Sequence, residues 1–150
     1  MSKKVVALVG VLALLVLSAG CGSGDDNSLT KAEFVKQADA ICKKGEKKKN
    51  DSLVSAYKKV GSENKESKNA QEEIIVDVAL PPISKMIEEL DGLGALNGEE
   101  EKAERMVEAF EEEAENVEED PAGTIAGKVG NFDEANKIAK ELGMEDCSAI

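Results

Sequence analysis

Apolar side chains recur at helical spacing along four stretches of the chain. These stretches cover residues 30–60, 70–90, 99–119 and 131–142. Within each, apolar positions recur three or four residues apart, which places their side chains on one face of an α-helix. Hairpin signals are missing, because no two strand-like segments flank a short turn motif. We therefore predict an all-α fold, an antiparallel helical bundle of about four helices.

The first helix has a well-marked start. Thr30 and Glu33 have the spacing of a capping box, and Leu29 and Phe34 hold the two positions of a hydrophobic staple around it. We expect the helix to run to about residue 60, kinked or loosened at Gly45 and followed by a loop or frayed end. Its expected core stripe is Phe34, Ala38, Ile41, Cys42, Leu53, Tyr57 and Val60.

A proline pair interrupts the second stretch. Proline inside a helix removes a backbone donor and clashes with the preceding turn, so we expect a kink at Pro81-Pro82. A strand over residues 74–80 is the alternative, because Ile75-Val76 is β-prone. The expected core positions are Ile74, Ile75, Val78 and Ala79 before the kink, and Ile83, Met86, Ile87 and Leu90 after it.

The last two helices are amphipathic. The third is expected over residues 99–119, ending at Asp120-Pro121 and followed by irregular chain over 122–130. The fourth begins with a cap signal over residues 131–134 and ends at Gly143, which fits the C-cap role. The expected core positions are Ala103, Met106, Val107, Phe110, Ala114 and Val117, then Phe132, Ala135, Ile138, Ala139 and Leu142.

The first twenty residues have the order of a secretory signal peptide. Basic Lys3 and Lys4 precede an apolar run over 5–17, and small residues then lead to Cys21. The apolar run is shorter than the roughly 20 residues of a membrane span. The junction Leu17-Ser18-Ala19-Gly20-Cys21 resembles a bacterial lipobox. That resemblance implies a diacylglyceryl group on the Cys21 thiol and cleavage just before it, whereas an ordinary signal peptide is the alternative.

The chain is thus expected to have three parts. Residues 1–20 form a lipoprotein signal peptide, 21–29 a lipidated cysteine with a flexible tether, and 30–150 the helical domain. Two acyl chains are enough for stable anchoring. The small, polar tether reaches at most about 25 Å. We expect a domain held at the extracytoplasmic face of the cell membrane.

Several short motifs along the domain resemble one family. They are Leu29-Thr-Lys-Ala-Glu-Phe34, Gln37-Ala-Asp-Ala-Ile-Cys42, Leu80-Pro81-Pro82, Asp120-Pro121, and Leu142-Gly143 leading to Cys147. Together they resemble an uncharacterised family of Gram-positive, actinomycete-type lipoproteins. In that family an aromatic residue usually precedes the closing glycine, where this chain has Leu142. The resemblance implies topology and location, but no activity.

Two cysteines remain once Cys21 is assigned to lipid. Cys42 and Cys147 form an even pair in a chain expected to be exported, which favours a disulfide between the first helix and the C-terminal tail. Such a bond would close a loop long enough to contribute about 4–5 kcal/mol in the chain-entropy model. Two free buried thiols are the alternative. A redox-active pair is disfavoured because the chain has no Cys-x-x-Cys motif.

Charge and composition exclude several classes of function. Residues 21–150 carry 17 basic and 31 acidic side chains, a net charge of −14, so no nucleic-acid partner is expected. The chain has no histidine, which excludes Ser-His-Asp triads, Cys-His pairs and histidine-bound zinc or haem. We predict no catalytic residues, no metal site and no cofactor.

Two charge runs are candidates for contacts outside the domain. Residues 99–120 carry 12 acidic and two basic side chains, which we interpret as a solvated helix face rather than a weak cation or basic-partner surface. An EF-hand loop starting at Asp91 is excluded, because its twelfth position is Lys102 and not Glu. The five lysines of 43–49 would contact anionic headgroups or pair with the acidic helix.

These observations predict a lipid-anchored, non-enzymatic domain with a binding or structural role at the cell envelope. Its expected partners are the membrane and an unidentified envelope protein. A small-ligand or cation binding lipoprotein that serves a transporter or sensor is the alternative.

Overall fold

The computed structural model describes residues 28–64 and 67–150, except for the side chains of 60–64. The predictions for the signal segment, Cys21 and residues 22–27 lie outside these ranges. The all-α prediction is confirmed, since the described residues are mainly helical. Their one extended pairing is an isolated parallel bridge between Leu29 and Leu96. The strand alternative over 74–80 is wrong, because that segment is helical throughout.

The helices follow one another with short connections. Their bounds are α1 Lys31–Asn64, α2 Lys68–Ile74, a π-helical turn Ile75–Ala79, α3 Leu80–Asp91, α4 Glu100–Glu119, α5 Pro121–Ile125, α6 Asp133–Leu142 and a closing 3-10 turn Cys147–Ala149. Neighbouring long helices are antiparallel in their contacts. Along α4 and α6, for example, Lys102 pairs with Glu141 and Arg105 with Glu134, so rising numbers meet falling ones.

The predicted capping box holds the start of α1. The backbone N–H of Thr30 donates to the Glu33 carboxylate at 3.1 Å, and the Glu33 N–H donates to the Thr30 hydroxyl at 3.4 Å. The Thr30 hydroxyl also donates to that carboxylate at 2.6 Å. These hydrogen bonds hold the pKa of Glu33 below its ordinary value, and the bond from the Thr30 hydroxyl has the largest effect. Leu29 and Phe34 both pack into the core, as the staple requires.

The expected loosening of α1 at Gly45 is wrong, because the helix is continuous there. Gly45 is buried against α3 instead, and a β-carbon at this position would lie 2.8 Å from both Cβ and Cγ of Met86. The glycine therefore permits two helix backbones to approach closely.

The second half of α1 is less buried than its stripe predicts. Leu53 is half-buried, Tyr57 is 38% exposed, and its neighbour Val54 is 53% exposed. The structure does not describe the side chain of Val60. The reason is length, because α1 has 34 residues whereas α3 has 12, so α3 cannot cover all of α1.

The proline pair is accommodated by a π-helical turn. Pro81 and Pro82 occupy the first turn of α3, where a missing N–H is tolerated. The irregularity lies just upstream, where the N–H of Leu80 donates to the carbonyl of Ile75, five residues back. Of the core positions predicted before the prolines, Ile74 is buried, whereas Ile75, Val78 and Ala79 are half-buried.

The C-terminal part of the domain follows the prediction closely, with two corrections. All eleven core positions predicted on the third and fourth helices are buried. Residues 122–130 are not wholly irregular, because Asp120 accepts a hydrogen bond from the Gly123 N–H at 2.8 Å and starts the short α5. The cap residue of α6 is Phe132, and Asn131 instead donates to Asp133 at 2.8 Å.

Gly143 ends α6 as predicted. It has a φ of 91°, and the N–H of Met144 reaches back to the carbonyl of Ala139 at 2.9 Å. These features form a Schellman motif, which directs the tail back towards the core.

We predict that Gly45→Ala lowers the free energy of unfolding by about 1–2 kcal/mol, since overpacking outweighs the gain in helix propensity. Gly92→Ala is the control, because Gly92 has a helical φ of −72° and its added β-carbon would meet no close contact. The nearest atom of another residue would be 3.4 Å away. Urea denaturation of both variants measures the effect. Equal stability of the two variants would contradict the close approach.

We predict that Thr30→Ala raises the pKa of Glu33 towards its ordinary value of 4.5. A carboxylate with a lowered pKa stabilises the fold above that ordinary value and loses this contribution as the pH falls through its folded pKa. The variant should therefore lose part of the acid dependence of its stability. Carboxyl NMR titration measures the pKa, and urea denaturation at several pH values measures the acid dependence of stability. Glu100 is the internal reference for the titration, because its pKa is lowered by hydrogen bonding from the Gly98 N–H and not by Thr30. An unchanged Glu33 pKa would refute the assignment.

Candidate functional site

The predicted pairing of Cys42 with Cys147 is confirmed. Their sulfur atoms lie 2.02 Å apart, and both side chains are fully buried. The bond joins α1 to the closing 3-10 turn, across 105 positions of sequence. The alternative of two free thiols is therefore wrong, and the covalent link has no solvent-exposed sulfur.

Asp39 reinforces this junction from one turn earlier on α1. Its carboxylate accepts hydrogen bonds from the backbone N–H groups of Glu145, Asp146 and Cys147 at 3.2, 2.9 and 3.2 Å. Sequence reasoning did not find this role. The available signal was its spacing of three residues from Cys42, which places both side chains on one face of the helix.

Three lysines of 43–49 form ion pairs with carboxylates outside α4. Lys43 lies 3.7 Å from Asp146, Lys44 lies 2.7 Å from Glu89, and Lys47 lies 2.6 Å from Asp51. Pairing with the acidic helix α4 is therefore the wrong alternative. The hydrogen bond from Lys44 is the main reason why the pKa of Glu89 lies below its ordinary value.

The acidic helix α4 keeps most of its carboxylates in solvent. The exceptions have structural partners, such as Glu113, which accepts hydrogen bonds from the Gly130 N–H and, at 3.2 Å, from Asn116. Over residues 28–64 and 67–150, no three metal-ligating side chains come together in a way that would hold a metal ion.

An apolar cleft lies at the π-helical turn, and we call it the π-turn cleft. Its volume is about 140 Å³. Its walls come from α1, the π-helical turn, α3, α4, α5, the segment after α5, and the last residue, Ile150. The lining residues are Lys49, Ile75, Ala79, Leu80, Ile83, Val117, Thr124, Gly130, Phe132 and Ile150.

Three backbone irregularities meet at the π-turn cleft. The π-helical turn provides Ile75 and Ala79, Phe132 has a left-handed φ of 52°, and Gly130 has a φ of 84°. A bulky residue such as phenylalanine in the left-handed region costs of order 1–3 kcal/mol. Such strain and π-helical turns concentrate at functional sites, so this cleft is the candidate site.

Lys49 is the charged residue of the cleft. Its side chain is half-buried, and it forms no ion pair or hydrogen bond with any residue that the structure describes. In the sequence, Lys49 belongs to a run of five lysines, and only the fold shows that its surroundings differ from theirs. Three of those four have a carboxylate within ion-pair distance.

The chain matches no protein-family model, no curated protein and no solved structure. In residues 28–64 and 67–150, no helix is both long enough and apolar enough to cross a bilayer.

We predict that Asp39→Ala weakens the junction while leaving the disulfide intact. Loss of three hydrogen bonds to one carboxylate should lower the free energy of unfolding by about 1.5–3 kcal/mol. It should also speed amide exchange at Glu145, Asp146 and Cys147. Asp51→Ala is the control, because Asp51 makes only an exposed pair with Lys47. Unchanged exchange in the Asp39 variant would show that the disulfide alone holds the tail.

Proposed function

We propose that this protein is a lipid-anchored, extracytoplasmic domain with a non-enzymatic binding or structural role at the cell envelope. The anchor is a diacylglyceryl group on the thiol of Cys21, which becomes the first residue after removal of residues 1–20. The partners are the membrane and an envelope protein that remains to be identified.

The disulfide carries the argument for the compartment. Disulfides form and persist in oxidising environments outside the cytoplasm, and are rare inside it. Cys42 and Cys147 are bonded and fully buried, so the link belongs to the folded state and not to a reactive surface. This agrees with the export signal read from the first twenty residues.

The start of the fold supports a position close to the bilayer. Helix α1 begins at Lys31, so nine residues separate it from Cys21, and the ten steps between the two Cα atoms span at most about 35 Å. The capping box holds the start of α1, and the bridge between Leu29 and Leu96 ties the residue before it to the rest of the domain. A domain tethered this closely is well placed to contact another envelope protein, but not to reach far from the membrane.

The environment of the titratable groups supports a non-enzymatic role. Catalytic groups commonly combine burial with a strongly shifted pKa. Of the glutamates with lowered pKa values, Glu33 and Glu100 are exposed and Glu89 is half-buried, and each has a structural partner. Those partners are the α1 cap, the ion pair with Lys44 and the turn at Gly98.

We predict that Cys21→Ser abolishes palmitate labelling and releases the protein from the membrane fraction. The reason is that the Cys21 thiol carries both of the acyl chains that stable anchoring needs. Ser23→Ala, two positions further on, is the matched control and should keep both properties. Labelling with palmitate and fractionation of intact cells measure the outcome. A Cys21→Ser variant that remains labelled and membrane-bound would overturn the proposed anchor.

A further inference from the structure

We propose that the π-turn cleft binds a small organic carboxylate of about six to eight non-hydrogen atoms in all, with a compact apolar body. This proposal does not rest on the lipid anchor. It concerns the folded domain, and the residues that carry it lie on α1, the π-helical turn, α3, α4 and the segment after α5.

The size of the cleft sets the size of the ligand. A dry protein cavity of about 150 Å³ accommodates a benzene-sized molecule, and the π-turn cleft has a volume of about 140 Å³. The side chains of Ile75, Leu80, Ile83, Val117 and Phe132 form most of its wall. A branched aliphatic or phenyl group therefore fits, whereas a full-length acyl chain is too large.

The charge at the cleft determines which polar group the ligand carries. Lys49 is the cation among the lining residues, and it is half-buried with no carboxylate from the described chain beside it. An ammonium group in such a position gains from an anionic partner, because a charge-assisted hydrogen bond is stronger where water is partly excluded. One lysine matches a monoanion such as a carboxylate.

The backbone of the cleft explains how the site stays open. The π-helical turn follows from Pro81 and Pro82, and it positions Ile75 and Ala79 on the cleft wall. Gly130 lies opposite, and a β-carbon there would come within 3.0 Å of Val117 and 3.1 Å of Thr124. The hydrogen bond from the Gly130 N–H to Glu113 holds that segment in place.

The test compares an acid with its neutral isostere. The probes are 4-methylpentanoate and 4-methylpentanamide, which have the same apolar body and differ in charge. The purified full chain is titrated in buffered detergent solution by isothermal titration calorimetry, and the heats are corrected with a protein-free blank, so the measurement needs no lipid anchor. We expect saturable binding of the acid, roughly tenfold or more tighter than binding of the amide.

Three variants assign the binding to the cleft. Lys49→Met keeps the aliphatic stem and should reduce acid binding roughly tenfold, to the level of the amide. Lys48→Met is the matched control on the neighbouring, exposed lysine and should leave both affinities unchanged. Ala79→Leu adds volume inside the cleft and should abolish binding of both probes.

Several results would overturn the proposal. One is absence of saturable acid binding to the wild-type chain at millimolar concentration. Another is equal affinity for acid and amide, and a third is an equal loss of binding in the Lys48 and Lys49 variants. The acid–amide comparison needs no substitution, so it holds even where Ala79→Leu fails to fold. Failure here leaves the Cys21 labelling result unaffected, so the two proposals fail separately.

Discussion

The covalent bond between Cys42 and Cys147 constrains the whole domain, because it connects the first helix to the last turn of the chain. Cross-linking positions so far apart removes much of the entropy of the unfolded chain, a contribution of about 4–5 kcal/mol in the chain-entropy model. That is a large part of the 5–15 kcal/mol typical of a domain. The bond matters more here because the chain has only four aromatic residues, so its core offers few large contacts.

The hydrogen bonds of Asp39 add direction to this link. A disulfide fixes two sulfur atoms, whereas three N–H groups converging on one carboxylate fix the path of the backbone around them. The Schellman turn at Gly143 starts this path, and the buried Met144 packs into the core between the two features. The tail is thereby an integral part of the fold.

Sequence periodicity predicted the helices well wherever one face is buried. Every core position predicted on α4 and α6 is buried, because a regular amphipathic helix encodes its buried face directly. The capping box and the disulfide pair were also readable, since each depends on residue type and spacing. Leu96 and Met144 were missed, because they reach the core from irregular segments that carry no periodic signal.

The candidate cleft could not be predicted in the same way. It depends on a π-helical turn, a left-handed Phe132 and one lysine that the fold separates from its neighbours. The proline pair indicated an irregularity in the helix. It did not indicate that this would be a π-helical turn, or that the turn would lie before the prolines. The same limit applies to Gly45, where the sequence favours a flexible joint and only the contact with Met86 explains the glycine.

Because α1 is continuous, the position of a residue along it gives its distance from the tether. At 1.5 Å per residue, Lys49 lies roughly 27 Å along the helix from Lys31, where the tether joins. If Cys21 is held in the bilayer as proposed and α1 stands upright, the cleft lies near the middle of α1, away from the lipid. Solutes would then reach it from the surrounding fluid, without passing through the lipid.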